Sequence, residues 1–300
     1  MSSERLLMLF VGKVAGMNSS DGRINLLVTD KNKVQMNLKI NDENGIVLGK
    51  VYAFEYDAID KKERTSYIVK SFKEVTELPL TLMDETLRDF YKSSPISLEA
   101  SEKEINRYIH LISNEKIRKI TEFLIFHYHD KFYTYPAASK MHHAYVGGLA
   151  YHSIGMLHLA DGFIENYPYL DKDYIYAGIM LHDIGKAIEL TGCIDTAYSL
   201  EGQLLGHLVI GAMEIEKAAE KLGFAGTKEV LYLEHMLVSH HGLPQFGAAK
   251  KPMTAEALCL WHIDTIDSKF RTLGEVLEET ESETYTDAIG VFDRSKVWKI

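Results

Sequence analysis

This sequence has little cysteine, no long apolar run and no excess of basic charge, and each absence excludes a class of protein. The two cysteines, Cys193 and Cys259, lie far apart and form no Cys-x-x-Cys spacing, so we expect buried free thiols. No uninterrupted apolar stretch reaches the roughly 18 to 20 residues that a helix needs to span a bilayer. The amino terminus also lacks the pattern of a secretion signal. The sequence therefore predicts a folded, soluble, cytoplasmic protein with no membrane partner.

The charge balance argues against a uniformly basic nucleic-acid binder. Lys and Arg number 33 against 43 Asp and Glu, which gives a net charge of −10, whereas affinity for nucleic acid comes largely from neutralising phosphates. Residues 1 to 80 are nearly balanced, with 12 basic and 11 acidic side chains, so the acidic excess lies in the rest of the chain. Bound metal ions would reverse the local sign of an acidic cleft there.

The first part of the chain has the pattern of β-strands. Five short apolar or alternating segments, at residues 6–14, 24–29, 34–40, 51–56 and 67–75, are separated by turn-rich pieces. Five such strands predict a small β-barrel, and an OB-type barrel is one candidate among several small barrels and sandwiches. The exposed face of an OB-fold commonly binds single-stranded nucleic acid. Five aromatic side chains could stack on bases, although a core position is favoured for most of them: Phe10, Tyr52, Phe54, Tyr56 and Phe72.

The pattern changes to helical after a connecting segment. Residues 77–102 contain Pro79, a short helical stretch and the sequence Ser93-Ser94-Pro95, as is typical of a domain boundary. Beyond it, apolar residues recur at three- and four-residue intervals through most of the chain. We therefore predict three parts: an OB-like β-barrel domain at 1–76, a linker at 77–102, and an all-α domain at 103–300.

Histidine and aspartate in the helical part suggest a site for divalent cations. Ten of the 13 histidines lie between residues 142 and 262. The pair His182-Asp183 stands near the end of an apolar helix, where imidazole and carboxylate together can bind one cation and the carboxylate can bridge to a second. Lys186 follows four residues after His182 and three after Asp183, so on a continuing helix it would project from the same face.

Further candidate ligands each belong to another predicted helix. They are His152, His207, the pair His240-His241, and Asp264. Metal sites in the core of a helix bundle use ligands from several helices in this way. A set of imidazoles and carboxylates without thiolate favours Mn, Fe, Co, Ni or Zn over a structural cysteine–zinc site. The alternative is that these are scattered structural residues.

The order of these residues resembles the HD-domain phosphohydrolases with two-metal sites. The runs at 142–149, 206–211 and 239–242, and the stretch from Pro252 through Asp264 to Lys269, resemble the bacterial YhaM-type 3′ to 5′ exoribonucleases. That family places an OB-fold in front of an HD domain, which is the order predicted above. The resemblance covers nearly the whole chain and is far more specific in the helical part than in the barrel.

The resemblance also implies a role for each candidate residue. One metal would be held by His152, His182, Asp183 and Asp264. Asp183 would bridge to a second metal, completed by His207 and by His240, His241 or both. Lys186 would face the scissile phosphate, and Asp267 would support the ligands or cap a helix rather than bind metal directly. His142 and His143 would contact the substrate or serve the structure. The expected cofactors are two divalent ions, with Mn²⁺ first and Fe, Co, Ni or Zn as alternatives.

The activity that follows from the resemblance is metal-dependent 3′ to 5′ hydrolysis of single-stranded RNA to nucleoside monophosphates, with water activated by metal. Single-stranded DNA as a second substrate and a homo-oligomeric state stay open. One alternative is a phosphohydrolase acting on a small nucleotide or cyclic dinucleotide, although no Gly-Tyr-Pro sequence follows His241. A second alternative is a non-catalytic nucleic-acid-binding module whose metals only stabilise its fold.

Overall fold

The computed structural model describes residues 8–20, 23–41, 45–61, 64–138 and 145–300. It consists of two compact units, Met1–Lys92 and Ser93–Ile300. The division falls inside the segment 77–102, where the sequence predicts a linker. Helix α1 (Leu80–Phe90) belongs to the first unit and helix α2 (Leu98–Leu111) to the second. Most of that segment is therefore regular structure, and the limits 1–76 and 103–300 stay predictions.

Five strands of the first unit close into a barrel. They are β1 (Met8–Ser20), β2 (Arg23–Thr29), β3 (Gln35–Ile40), β4 (Val51–Lys61) and β5 (Arg64–Glu74), in the order β1-β2-β3-β5-β4. All pairs are antiparallel except β3 with β5. Register shifts leave one extra residue in β1, Ala15, and one in β5, Lys70, and such bulges let these two strands bend around the barrel. This arrangement confirms the predicted OB-like barrel.

The interior of the barrel is apolar and takes up its aromatic rings. Tyr52, Phe54 and Tyr56 are buried, and Phe10 and Phe72 pack against the same core. The core interpretation of these aromatic residues is confirmed. Three of the five rings are therefore buried in the core, and the other two are partly covered by it.

The outer face of β1, β2 and β3 has a different composition. Residues that alternate with the buried core positions form three cross-strand rows on this face. The rows are Lys13–Thr29–Gln35, Gly16–Leu27–Asn37 and Asn18–Asn25–Lys39. None of these nine residues is acidic or aromatic. We call these rows the barrel face.

The second unit is helical, as the sequence predicts. Its described residues form nine α-helices: α2, α3 (Glu115–His127), α4 (His129–Thr134), α5 (Gly148–Asn166), α6 (Lys172–Leu181), α7 (Lys186–Glu189), α8 (Leu200–Leu222), α9 (Lys228–Ser239) and α10 (Ala255–Glu279). One hydrophobic core joins them, with fully buried side chains such as Tyr108, Phe132 and Leu260. Within the described residues, no helix combines the length and apolar character needed to cross a membrane.

A short hairpin, β6 (Thr284–Tyr285) with β7 (Trp298–Lys299), follows the last helix. The ammonium of Lys299 donates to the carbonyls of Leu277 and Thr280 at the carboxyl end of α10. A cation at this position satisfies terminal carbonyl groups and interacts favourably with the helix dipole. The hairpin therefore closes the end of the helix that carries Asp264 and Asp267.

Candidate metal centre

The pair His182-Asp183 stands at the point where a buried apolar helix ends. Helix α6 finishes at Leu181, and the backbone turns through residues 182–185 before α7 begins at Lys186. The exposed fraction is 1% for His182 and 4% for Asp183. The turn replaces the continuing helix that the sequence allowed at this point. Lys186 still lies beside Asp183, because a backbone hydrogen bond of 2.9 Å joins the amide of Lys186 to the carbonyl of Asp183.

The structure brings the seven predicted ligands together in three groups of three residues. Two of these groups are separate, and the third overlaps both. In each group, the candidate ligand atoms lie within 4.8 Å of one another. The first triad is His152, His182 and Asp264. The second triad is His207, His240 and His241. The shared group of His182, Asp183 and His240 takes one histidine from each triad.

The carboxylate of Asp183 lies between the two triads. Its Oδ2 atom is 3.2 Å from Nε2 of His182. Its Oδ1 atom is 3.3 Å from Nε2 of His207 and 3.8 Å from Nε2 of His240. One oxygen therefore faces each side, as a bridge between two cations requires.

Buried polar atoms without protein partners show that the donor set fits divalent metal. Within the described residues, four side-chain atoms of this cluster have no hydrogen-bond partner: Nε2 of His182, His207 and His240, and Oδ1 of Asp183. Leaving one such buried atom unsatisfied costs about 1–3 kcal/mol. These atoms face one another, and imidazole and carboxylate are ligands that first-row divalent metals accept. These His and Asp clusters could therefore bind metal.

Every imidazole of the two triads is fixed through its other ring nitrogen. Nδ1 of His182 donates to the carbonyl of Ile179 at 2.7 Å, and Nδ1 of His240 donates to that of Leu237 at 2.6 Å. Nδ1 of His241 lies 2.8 Å from the carbonyl of Phe246. Because a carbonyl can only accept, Nδ1 carries the hydrogen in these rings, and the lone pair of Nε2 points to the centre.

The two remaining imidazoles have carboxylate partners. Nδ1 of His152 is 2.8 Å from Oδ2 of Asp267, which matches the supporting role predicted for Asp267. Nδ1 of His207 is 3.0 Å from Oε2 of Glu189. Glu189 is not among the predicted site residues, since nothing in the sequence around a short helix distinguishes this acid from a surface residue.

The surroundings keep Asp183 and His240 in metal-binding forms. Burial raises the pKa of Asp183, but Lys186 and His182 more than offset it and hold that pKa well below its usual range. Burial and the neighbouring His182 lower the pKa of His240 well below its usual value. Burial also lowers the pKa of His152, but hydrogen bonds with Asp264 and Asp267 outweigh it and raise that pKa to about 9. The carboxylates around His152 thus favour positive charge there.

Lys186 is held at the edge of this cluster. Its ammonium donates to Oδ2 of Asp183 at 2.6 Å and to the carbonyl of Ala137. The side chain is 15% exposed. A single positive charge therefore sits next to the central carboxylate with access to solvent. His142 and His143, the other predicted contacts for a substrate, lie outside the described residues.

A glycine positions His207. Helix α8 is interrupted at Gly206, where φ is 71° and ψ is 157°, in a region that favours glycine. The next residue turns its backbone amide to Oε1 of Glu189 at 3.1 Å. Its ring contacts the same carboxylate. The break therefore sets both the amide and the imidazole of His207 against Glu189.

Comparison with known proteins locates this cluster in a recognised domain. The family described as the HD domain matches residues 149–269, which include all seven candidate ligands and Lys186. A protein of Geobacillus sp. (strain WCH70) named 3′-5′ exoribonuclease YhaM is 42% identical over 211 residues, 70% of this chain and 65% of that protein. The protein of the same name from Shouchella clausii (strain KSM-K16) is 39% identical over 259 residues, 86% of this chain and 79% of that protein. The similarity thus extends well beyond the HD domain.

Proposed function

Because this chain belongs to the YhaM family of 3′-5′ exoribonucleases, we propose that it hydrolyses single-stranded RNA from the 3′ end with the help of two divalent cations. One cation would be held by His152, His182, Asp183 and Asp264, and the other by Asp183, His207, His240 and His241. The observation that carries the proposal is the pair of triads on either side of one carboxylate. The products are nucleoside monophosphates.

The donor atoms limit which metals suit the centre. Imidazole and carboxylate without thiolate suit Mn²⁺, which we propose, and also Fe, Co, Ni or Zn. When bound, two such cations lower the pKa of a water molecule and stabilise negative charge on the phosphoryl oxygens.

The residues of the chain have separable tasks in this reaction. Asp183 sets the spacing of the two triads, because its two oxygens face different histidines. Lys186 supplies a positive charge next to Asp183, where it stabilises negative charge developing on the phosphate or protonates the leaving oxygen. The hydrogen bonds on Nδ1 of the five histidines keep their Nε2 atoms aimed at the centre.

The barrel face supports RNA as the substrate. Its lysines and amides can contact phosphates, sugars and base edges, and it has no acid to repel the backbone. Since the five barrel aromatics discussed above belong to the core, binding here relies on polar contacts rather than stacking. Affinity carried by Lys13 and Lys39 falls with rising salt. Single-stranded DNA shares these phosphate contacts, so it is proposed as a second substrate.

The decisive assay combines polarity, product and metal dependence. RNA labelled at its 5′ end and incubated with the protein and Mn²⁺ should shorten stepwise, and RNA labelled at its 3′ end should release a labelled mononucleotide at once. Chelator should stop both reactions, and a blocked 3′ end should slow them. Internal cleavage products, or hydrolysis that continues in chelator, would contradict the proposal.

Substitutions on the barrel face distinguish the proposed exoribonuclease from the alternative, a phosphohydrolase acting on small nucleotides. Lys39→Glu should weaken turnover of RNA several-fold at low salt while turnover of a small chromogenic phosphodiester stays the same. Lys73→Glu on β5, outside that face, is the matched control with an equal change in charge. Equal loss of both substrates in Lys39→Glu would favour the alternative. Mn²⁺ that raises the melting temperature without any hydrolysis would favour the non-catalytic module.

A further inference from the structure

The five histidines of the two triads fall into two classes by the partner of Nδ1. His182, His240 and His241 have backbone carbonyls as partners. His152 and His207 have carboxylates, Asp267 and Glu189. Each triad therefore contains one histidine supported by a carboxylate. Both carboxylates are buried, with exposed fractions of 5% for Asp267 and 6% for Glu189.

Close packing holds Asp267 against His152. Its Oδ1 atom is 3.4 Å from Nε of Arg271, while Oδ2 contacts Nδ1 of His152. A Cβ atom on Gly155 would lie only 2.5 Å from Oδ1 of Asp267. Helices α5 and α10 therefore approach closely enough to leave this carboxylate little freedom, and Arg271 balances its charge from the outer side.

Glu189 is held against His207 in a comparable way. Its two oxygens contact both the amide and Nδ1 of His207. A Cβ atom on Gly202 would lie 2.4 Å from the backbone oxygen of Glu189 and 2.9 Å from its Cγ. The end of α7 and the start of α8 thus fix this side chain in one position.

A carboxylate on Nδ1 has a stronger effect on a metal ligand than a carbonyl has. It fixes the ring orientation and makes Nε2 more basic, and loss of such a partner typically costs about 10- to 100-fold in metal affinity. We propose that Asp267 and Glu189 are positioning residues that set the cation affinity of the two triads separately. Asp267 acts on the first triad through His152, and Glu189 acts on the second through His207. This inference rests on the proposed function of the centre.

The two triads should differ in their dependence on these residues. The first triad contains the carboxylate of Asp264, whereas the second consists of three imidazoles and shares only Asp183. Negative charge near the second triad comes otherwise from Glu189. We therefore expect the two variants to differ in the size of their effect. Glu189→Gln should weaken Mn²⁺ binding at the second triad about 100-fold, and Asp267→Asn should weaken Mn²⁺ binding at the first triad about tenfold.

The test is a titration of the full-length, metal-free protein with Mn²⁺, in which the free ion is counted by electron paramagnetic resonance. Wild type should bind two ions. Glu189→Gln should weaken one of the two Mn²⁺-binding steps, and Asp267→Asn should weaken the other. In chelator, both variants should have melting temperatures close to that of wild type. Glu189→Asp, which keeps the charge but shortens the side chain, should give an intermediate loss.

A background variant assigns each step to its triad. In His241→Ala, which removes a ligand of the second triad, Asp267→Asn should still weaken the remaining tight step about tenfold, and Glu189→Gln should change it less than twofold. Glu104→Gln is the matched control, because Glu104 also pairs with a histidine, His158, at 2.8 Å but outside the centre. Both steps should be unchanged in that variant.

The outcomes distinguish this inference from the function on which it rests. If wild type binds two ions and both variants weaken the same step, or neither weakens any, the separate roles of Asp267 and Glu189 are wrong. If wild type binds no Mn²⁺, the metal centre itself is wrong. If the variants melt at a lower temperature in chelator but keep their affinity for Mn²⁺, the two carboxylates stabilise the fold and do not act on the metal centre.

Discussion

The barrel and the helical unit bury their polar groups in opposite ways. In the described strands of the barrel, Asp57 is the one buried charged side chain, and its carboxylate lies 3.3 Å from the ammonium of Lys70. The helical unit buries six ionisable side chains at one centre: His152, His182, Asp183, Glu189, His240 and Asp267. Burying such groups costs free energy unless each is paired. The barrel is therefore built as a stable scaffold, whereas the described part of the helical unit leaves four buried ligand atoms of its centre without protein partners, a cost that a bound cation would offset.

The largest effect should follow a change of the central carboxylate. Asp183→Asn keeps the volume of the side chain but removes the charge that faces both triads, so RNA hydrolysis should fall by about a thousandfold or more. RNA affinity at a fixed salt concentration should change less than twofold, because the barrel face is untouched. Labelled-RNA hydrolysis and equilibrium binding measure the two quantities. Activity near that of wild type would remove Asp183 from the reaction.

A cavity in the barrel should produce the opposite result. Phe54 is fully buried among aromatic neighbours, so Phe54→Ala should lower the free energy of unfolding by about 3–5 kcal/mol. RNA affinity should fall with it, while binding of Mn²⁺ to the helical unit stays close to that of wild type. Denaturant unfolding and Mn²⁺ titration test this pair of effects. Loss of Mn²⁺ binding in Phe54→Ala would show that the two units are not independent in this respect.

A backbone change next to the centre should act on one triad alone. A Cβ atom on Gly206 meets no other atom within 4 Å, so the effect of Gly206→Ala comes from its positive φ rather than from a clash. Such strain costs about 1–3 kcal/mol, and relief of it would move His207 away from Glu189. Binding of Mn²⁺ at the second triad, which contains His207, should therefore weaken about tenfold.

Gly274→Ala is the control for that change. Gly274 lies inside α10, also without an atom near its Cβ position and without positive φ. Alanine there should leave Mn²⁺ binding unchanged and raise stability by about 0.5–1 kcal/mol. Equal behaviour of the two alanine variants would mean that the break at Gly206 has no role in placing His207.

The sequence predicted what depends on composition and spacing, and it failed where tertiary contacts decide. Alternating apolar residues located all five strands, but β1 extends to Ser20 and β4 to Lys61, beyond the predicted ends at 14 and 56. The bulge in β1 lets that strand continue around the barrel, and a bulge has no clear signal in a single sequence. The helical unit and its division from the barrel followed from the change of periodicity.

The sequence also predicted only part of the candidate site. Positions on separate predicted helices supplied the seven candidate ligands, the resemblance gave each a role, and the structure brings them together. It did not supply Glu189, because the contact with His207 depends on a break in α8 that one glycine permits. The carbonyl partners of His182 and His240 lie three residues earlier in the chain, so a helix that ends at each histidine would have predicted them.

The smallest effect should follow a change in a carboxylate–histidine pair at the surface. Because this pair has the same chemistry as the pairs at the centre but is less buried, it shows how much of their effect comes from burial. Glu104 bonds to Arg107 and to His158, and its side chain is 26% exposed. Hydrogen bonding to Arg107, opposed by burial and supported by His158, lowers the pKa of Glu104 to about 2. The folded pKa lies below the unfolded value of about 4.5, so the charged form stabilises the fold above that pH.

This stabilisation is lost as the pH falls from about 4.5 towards 2. With solvent screening, we expect Glu104→Gln to lower the free energy of unfolding by about 1 kcal/mol at pH 7. The difference between wild type and variant should shrink when denaturant unfolding is repeated at pH 3. A difference that grows on acidification would contradict the assigned ion pair. Because the same kind of pair at the centre is buried, its removal there should alter metal binding by far more than this pair alters stability.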